Sequence, residues 1–239
     1  MTERRLRRFT LLAAYILLAA LCVVTYIYGA SRETVIRRFT QLSFDDPQTW
    51  KRNHWLGIRT LQNPNDVWIV QEIIIDVKPD LIIETGTLNG GSAILWAMIL
   101  REINSEGKVI TIDVQDQTTE ARKNRTFQER VEFILGSSTD PKIVSEIGRR
   151  AKDKKVLVIL DSDHQKDHVL KEMESYGPLV NVGSYLIVRQ RAPCSQRTRT
   201  RSDGAIDSFL ASTDKFAPDL DRERLLFTMH PRGYLKRIK

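Results

Sequence analysis

The stretch Asp80-Leu81-Ile82-Ile83-Glu84-Thr85-Gly86-Thr87-Leu88-Asn89-Gly90-Gly91-Ser92-Ala93 constrains this chain more than any other. Residues 81–83 are apolar and largely β-branched, the pattern of a strand covered on both faces. Gly86 ends that run, and Gly90-Gly91-Ser92 opens a second apolar run, 94–100, that reads as a helix. A strand, a glycine turn and a helix N-terminus make a nucleotide pocket, because glycine lets the backbone approach a ligand and the first helical N–H groups favour polar or anionic atoms. The spacing Gly-x-x-x-Gly-Gly departs from the Gly-x-Gly-x-x-Gly of a dinucleotide fingerprint. Glu84, two residues before Gly86, suits a ligand carrying an ammonium group. Together these features point to S-adenosylmethionine rather than NAD, with Glu84, Gly86, Gly90, Gly91 and Ser92 as candidate cofactor contacts. A plain structural β–turn–α unit is the competing reading.

Charge is distributed unevenly along the 239 residues. Of the net +7, residues 1–38 carry +5 and residues 189–201 another +5, which leaves −3 for the remainder. The body is therefore not a basic nucleic-acid binder. Residues 9–31 hold no charged side chain, and 11–28 are nearly continuous apolar residues, close to the ~20 needed to cross a bilayer. Arg4, Arg5, Arg7 and Arg8 precede this run, and Tyr26 and Tyr28 fall where an interfacial aromatic belt would lie. A cleaved signal peptide would want small residues at −1 and −3, and Tyr28 stands at −3 to Ala30, so an uncleaved single-pass anchor is expected. Basic residues lie on both sides of the span, so charge does not orient it. A domain using S-adenosylmethionine is expected in the cytosol, where that cofactor is made. Cys22 falls in the span and Cys194 in a late loop, so no disulfide framework is expected.

The chain then divides into residues 1–31 as a basic N-terminus and anchor, 32–79 as a juxtamembrane or cap region, and 80–239 as an α/β domain. Within 32–79, the Asn63-Pro64-Asn65-Asp66 turn starts a helix through Val67, Ile69, Val70, Ile73 and Ile74. Strands are expected at 81–85, 108–113, 131–135, 155–160 and 184–188, alternating with helices at 91–103, 141–151 and 164–176. This alternation predicts a Rossmann-like, doubly wound, mostly parallel sheet. After a helix at 204–212, two strands at 224–229 and 234–238 predict a terminal antiparallel hairpin.

Ligands of such sheets bind at the carboxyl ends of the strands. Asp113 ends the second strand, where a carboxylate can accept both hydroxyls of a ribose or can simply cap the strand end. Ser137 and Ser138 follow the third, where they could contact the adenine edge or cap a local turn. Asp161-Ser162-Asp163-His164 follows the fourth. Asp161 is a candidate metal ligand or general base, and His164 a candidate catalytic partner. His164 and His168, four apart, would share one helix face, as metal-binding pairs do. A capped, solvated first helical turn also accounts for Asp163 and Asp167.

The run 81–86 with Gly90-Gly91-Ser92-Ala93 resembles the family that groups cephalosporin hydroxylases with rhamnosyl O-methyltransferases. Leu160-Asp161-Ser162-Asp163-His164, His168-Val169-Leu170-Lys171-Glu172, Tyr176-Gly177-Pro178-Leu179-Val180, Gly183-Ser184-Tyr185-Leu186-Ile187-Val188 and the ending 228–237 are similar too. The resemblance runs from about residue 45 to the C-terminus. It implies a class I, S-adenosylmethionine-dependent O-methyltransferase with a magnesium site. It also implies an acidic pair directly after the strand 185–188 that helps hold the metal. This chain has Arg189-Gln190 there, which leaves Asp161 as a lone ligand of the expected set, and arginine offers a magnesium ion no oxygen. Two functions are therefore expected. One is a membrane-anchored O-methyltransferase acting on a hydroxyl of a sugar, lipid-linked or small-molecule acceptor. The other is an inactive family member that keeps the fold as a binding or scaffold protein. Residues 189–201 read either as a local reading-frame error or degenerate copy, or as a basic loop for an anionic substrate or lipid headgroup, and the oligomeric state stays open.

Overall fold

The computed structural model describes residues 3–29, 31–104, 106–190 and 203–239. Cys194 and the basic loop expected at 189–201, from residue 191 on, lie outside the described residues. The chain forms two units, Met1–Asp45 and Asp46–Lys239.

The first unit holds helices α1 (Glu3–Gly29) and α2 (Arg32–Asp45). Within α1, Arg7–Gly29 has a mean hydropathy of 2.3 and none of it is buried, so its length and composition suffice to cross a membrane.

The second unit is a three-layer α/β sandwich. A short antiparallel pair, β1 (His54–Trp55) and β2 (Ile58–Arg59), precedes α3 (Pro64–Val77). The alternating part follows as β3 (Leu81–Thr85), α4 (Gly91–Ile103), β4 (Lys108–Asp113), α5 (Arg125–Arg130), β5 (Val131–Leu135), α6 (Pro141–Ala151), β6 (Val156–Leu160), α7 (Lys166–Tyr176) and β7 (Tyr185–Val188). The chain closes with α8 (Asp203–Ser212), β8 (Phe216–Pro218) and β9 (Tyr234–Arg237). The sheet order is β5-β4-β3-β6-β7-β9-β8. The first five strands are parallel and the last two antiparallel, as the alternation predicts. Strand order reverses between β3 and β6, which pair Leu81 with Val156 through Thr85 with Leu160.

Both sheet faces are covered, which is why the central strands are apolar at every position but the last two of β3. Leu81, Ile83, Val156, Val158 and Leu186 face α6, α7 and α8, where Ile147, Met173, Tyr176 and Phe209 pack. Ile82, Val109, Leu157, Ile159 and Ile187 face α3 and α4, against Ile69, Ile73, Trp96 and Leu100. Helix α3 is thus part of the body's core.

Two local expectations are corrected. Residues 224–229 do not form a strand; β9 lies between β7 and β8 and pairs antiparallel with both. Arg222 reaches Asp76 and Arg224 reaches Glu72 on α3, and Leu226 takes a φ of +68°, so side-chain ion pairs rather than a ladder hold this segment. Helix α7 begins at Lys166, not at 164: the Asp163 carboxylate accepts from Gln165 N at 3.0 Å in a turn before the helix. His164 and His168 therefore do not share a helix face.

The seam between β3 and β6 is closed by Asp161 N donating to Thr85 O at 2.9 Å. Gly86 sits there with φ +88°, and a Cβ on it would lie 2.1 Å from the Asp161 carbonyl oxygen. Neither the backbone conformation nor the space admits a side chain. Gly86→Ala is expected to cost at least about 2 kcal/mol of unfolding free energy, read as a lowered urea midpoint.

Candidate active site

The parallel strands all end at one crevice, and loops supply its side chains. The crevice is a cavity of about 500 Å³, within the range of roughly 300–1,000 Å³ common for small-molecule and cofactor sites. Its lining includes Gly86, Gly91 and Ser92 after β3, Asp113 at the end of β4, Ser137 and Ser138 after β5, and Asp161 and His164 after β6. Asp113 serves its loop as well as the cavity. Its Oδ2 accepts from Leu88 N at 2.9 Å and its Oδ1 from Gln115 N at 3.1 Å, which leaves lone pairs on both oxygens for a ligand.

Two sequence candidates lie elsewhere. Gly90 does not line the cavity; a Cβ there would meet Ala121 and Phe127, so the glycine permits packing of α4 against the loop that follows β4. Glu84 points to the α4 face of β3 and is 1% exposed. Its Oε1 accepts from Trp96 Nε1 at 3.0 Å and its Oε2 from Thr111 Oγ1 at 2.7 Å. Desolvation raises its pKa to about 7. Glu84 thus lies beneath the site and braces β3, β4 and α4 there.

A second carboxylate is buried beside the cavity. Glu172, fully buried on α7, accepts at Oε1 from Ser138 Oγ at 2.5 Å and from Ser162 Oγ at 2.6 Å. His168 Nε2 lies 3.2 Å from both hydroxyls and 3.5 Å from the same carboxylate oxygen. The hydrogen bond to Glu172 raises the His168 pKa. His168 lines the cavity together with Ser138, so this cluster belongs to the wall formed after β5 and β6. The i, i+4 spacing of His168 and Glu172 is a sequence signal that could have found it.

The lead-in segment supplies the remaining wall. Trp50, Arg59, Thr60, Leu61 and Gln62 all line the cavity, and a Cβ on Gly91 would strike Thr60 Oγ1. None of these residues sits in a recognisable motif, and only the folded chain brings them to the strand ends. Gln62 Nε2 donates to Asp161 Oδ2 at 2.9 Å. Arg189 Nη1 donates to the same oxygen at 2.7 Å and to Leu61 O at 2.8 Å.

Arg189 decides the metal question. Magnesium takes oxygen ligands at about 2.0–2.1 Å, and here a guanidinium points its N–H groups at the one carboxylate of the expected set. Among the described residues, no group of three or more His, Cys, Asp or Glu is arranged to hold a metal ion. The residues present do not fit a magnesium site.

This strand order is shared with solved structures. A solved CmcI structure without ligand superposes with a TM-score of 0.62 at 19% identity, covering 79% of this chain and 77% of the other. A CmcI structure titled as an Mg–SAM complex gives 0.62 at 18% identity, covering 79% and 78%. The sequence matches the family described as Rhamnosyl O-methyltransferase/CmcI over residues 47–238, and the chain belongs to that family, as its motifs implied. A rhamnosyl O-methyltransferase of Mycobacterium tuberculosis (strain ATCC 25618 / H37Rv) is 40% identical over 141 residues, 58% of this chain and 57% of the relative. One of Mycobacterium leprae is 37% identical over 142 residues, 58% and 60% of the two chains. The matches span under two thirds of these relatives' length.

The Glu84 carboxyl gives the site a pH signature. A folded-state pKa raised to about 7 means that the folded chain holds a proton the unfolded chain releases. The associated stability is full below the ordinary carboxylate pKa of about 4.3 and is lost as pH rises through about 7. Glu84→Gln, which keeps oxygen and nitrogen at the site but cannot ionise, is expected to flatten the decline in urea midpoint between pH 5 and pH 8.

Proposed function

We propose that the chain is an S-adenosylmethionine-dependent O-methyltransferase, with the cofactor held by Gly86, Gly91, Ser92, Asp113, Ser137 and Ser138. The observation that carries this reading is the cavity at the reversal of strand order, with Asp113 at the ribose-binding position and a glycine turn that lets backbone form its floor. The residues fit the cofactor, because the second strand ends in a carboxylate with lone pairs to spare and the helix α4 N-terminus borders the cavity. Family membership supports the reading, as do relatives that are rhamnosyl O-methyltransferases. Such relatives favour a sugar hydroxyl, free or lipid-linked, as acceptor.

When bound, S-adenosylmethionine supplies a methyl group on a sulfonium, an electrophile toward a hydroxyl that is losing its proton. The protein's work is positioning and proton removal. His164, on the cavity wall three residues after Asp161, takes the acceptor proton, since imidazole is suited to that task near neutral pH. Asp161, fixed by Arg189 and Gln62, orients the acceptor.

The Arg7–Gly29 helix supports a single-pass membrane anchor with the catalytic unit on the cytosolic side, where the cofactor is made and a lipid-linked acceptor would be at hand. A second reading, an inactive binding or scaffold protein, draws support from Arg189 standing in place of an acidic ligand.

Calorimetric titration of the full chain with S-adenosylmethionine tests the proposal. Binding is expected, and Asp113→Ala is expected to weaken it by about tenfold or more, the value of a charge-assisted hydrogen bond. His164→Ala is expected to bind cofactor as the wild type does while losing release of S-adenosylhomocysteine in the presence of a rhamnosylated lipid. A folded chain that binds no cofactor overturns the methyltransferase reading. Binding without turnover favours the inactive alternative.

A further inference from the structure

We propose that Arg189 is a built-in cation for this site, standing where a divalent metal would sit beside Asp161 and making the chain metal-independent. The inference deepens the methyltransferase reading and rests on it for the chemistry of the acceptor. Its basis is the way the side chain is seated. Arg189 is 7% exposed, and its partners converge from three parts of the fold. Nη1 donates to Asp161 Oδ2 after β6 and to Leu61 O in the lead-in segment; Nη2 donates to Met229 Sδ at 3.0 Å. The guanidinium carbon lies 5.0 Å from the centroid of the Trp50 ring. The backbone is pinned as well, with Arg189 N on Leu160 O at 2.9 Å and Gln190 N on Met229 O at 2.8 Å.

A side chain held in this way cannot be a solvated arginine that drifted toward a carboxylate. Removing a guanidinium from water is costly unless its charge is paired, and here Asp161 pairs the charge while Leu61 O and Met229 Sδ take further donors within one crevice. Asp161 Oδ2 takes two donors, Arg189 Nη1 and Gln62 Nε2, which fills the lone pairs a metal would need on that oxygen. Among the described residues these bonds take three of the five guanidinium N–H groups. Arg189 itself lines the cavity, so its charge lies beside an acceptor oxygen that gains negative charge there. That is the electrostatic service a metal would provide, delivered by a planar fork suited to oxyanions.

The full chain in detergent, titrated with Mn²⁺ and followed by electron paramagnetic resonance of the free ion, tests this with and without S-adenosylhomocysteine. The wild type is expected to take up no stoichiometric ion. Arg189→Glu, which places a second carboxylate beside Asp161, is expected to take up one ion at least about tenfold more tightly, and Asp161→Asn in that background to abolish the gain. One equivalent bound by the wild type and lost in Asp161→Asn overturns the proposal. So does an Arg189→Glu chain that binds S-adenosylhomocysteine normally but gains no ion. Should Arg189→Glu fail to fold, the melting temperatures of Asp161→Asn, Arg189→Gln and the double variant decide. A double variant that melts above Asp161→Asn, because no unpaired guanidinium is left buried, supports the internal cation; additive losses overturn it. A wild type that binds no S-adenosylhomocysteine removes the methyltransferase reading alone, since the ion titration is read independently of it.

Discussion

Everything in the unit Asp46–Lys239 is arranged around the close approach of β3 and β6. At their carboxyl ends the two backbones come so near that residue 86 can have no side chain, and the chain must turn there in a left-handed conformation. To one side the sheet continues through β4 and β5; to the other it continues through β7 and the antiparallel pair. The crossovers leave in opposite directions from this seam, so the loops part and a crevice opens between them. The crevice is therefore a geometric consequence of strand order. What the loops supply is its chemistry.

That chemistry is unusually rich in buried charge. Glu84 lies under the floor, Glu172 behind the wall formed after β5 and β6, and Arg189 against Asp161. Each would be expensive alone, and each is met by specific partners: Trp96 and Thr111, then Ser138 and Ser162, then Asp161 and Leu61 O. One oxygen, Glu172 Oε2, has no hydrogen-bond partner among the described residues. The rest of the sheet is conventional apolar packing on two faces. Buried ionisable groups gathered around one cavity mark where stability has given way to function.

The fold was largely legible in the sequence because period and punctuation agreed. Short β-branched runs such as 156–160 and 108–113 alternate with helices opened by Asn63-Pro64 and Asp140-Pro141, and the structure places those elements within a residue or two of expectation. The segment 224–229 misled because Leu225, Leu226 and Phe227 look like a strand, whereas the neighbouring arginines reach back to α3; an ion pair across 150 residues leaves no local trace. The site was legible only where it follows strand ends. Asp113, Ser137, Ser138, Asp161 and His164 were found by that rule and all line the cavity. Glu84 obeyed the motif but points to the opposite side of its strand, a choice of face that alternation along β3 settles. Residues 59–62 were beyond reach because they carry no motif, whereas Trp50 belongs to the stretch expected as a cap and does line the cavity. The part played by Arg189 emerges only with the positions of Leu61, Met229 and Trp50 around it.

The wall built by residues 59–62 ties the site to chain that comes before the first strand of the main sheet. Thr60 rests on Gly91, Leu61 holds Arg189 through its carbonyl, and Gln62 holds Asp161. These three contacts are polar, while Trp55 and Ile58 of the same lead-in pack against the apolar core. A change at Gln62 would loosen the enclosure of the crevice and leave that packing in place. Fold integrity and ligand retention would then report on different stretches of the same polypeptide.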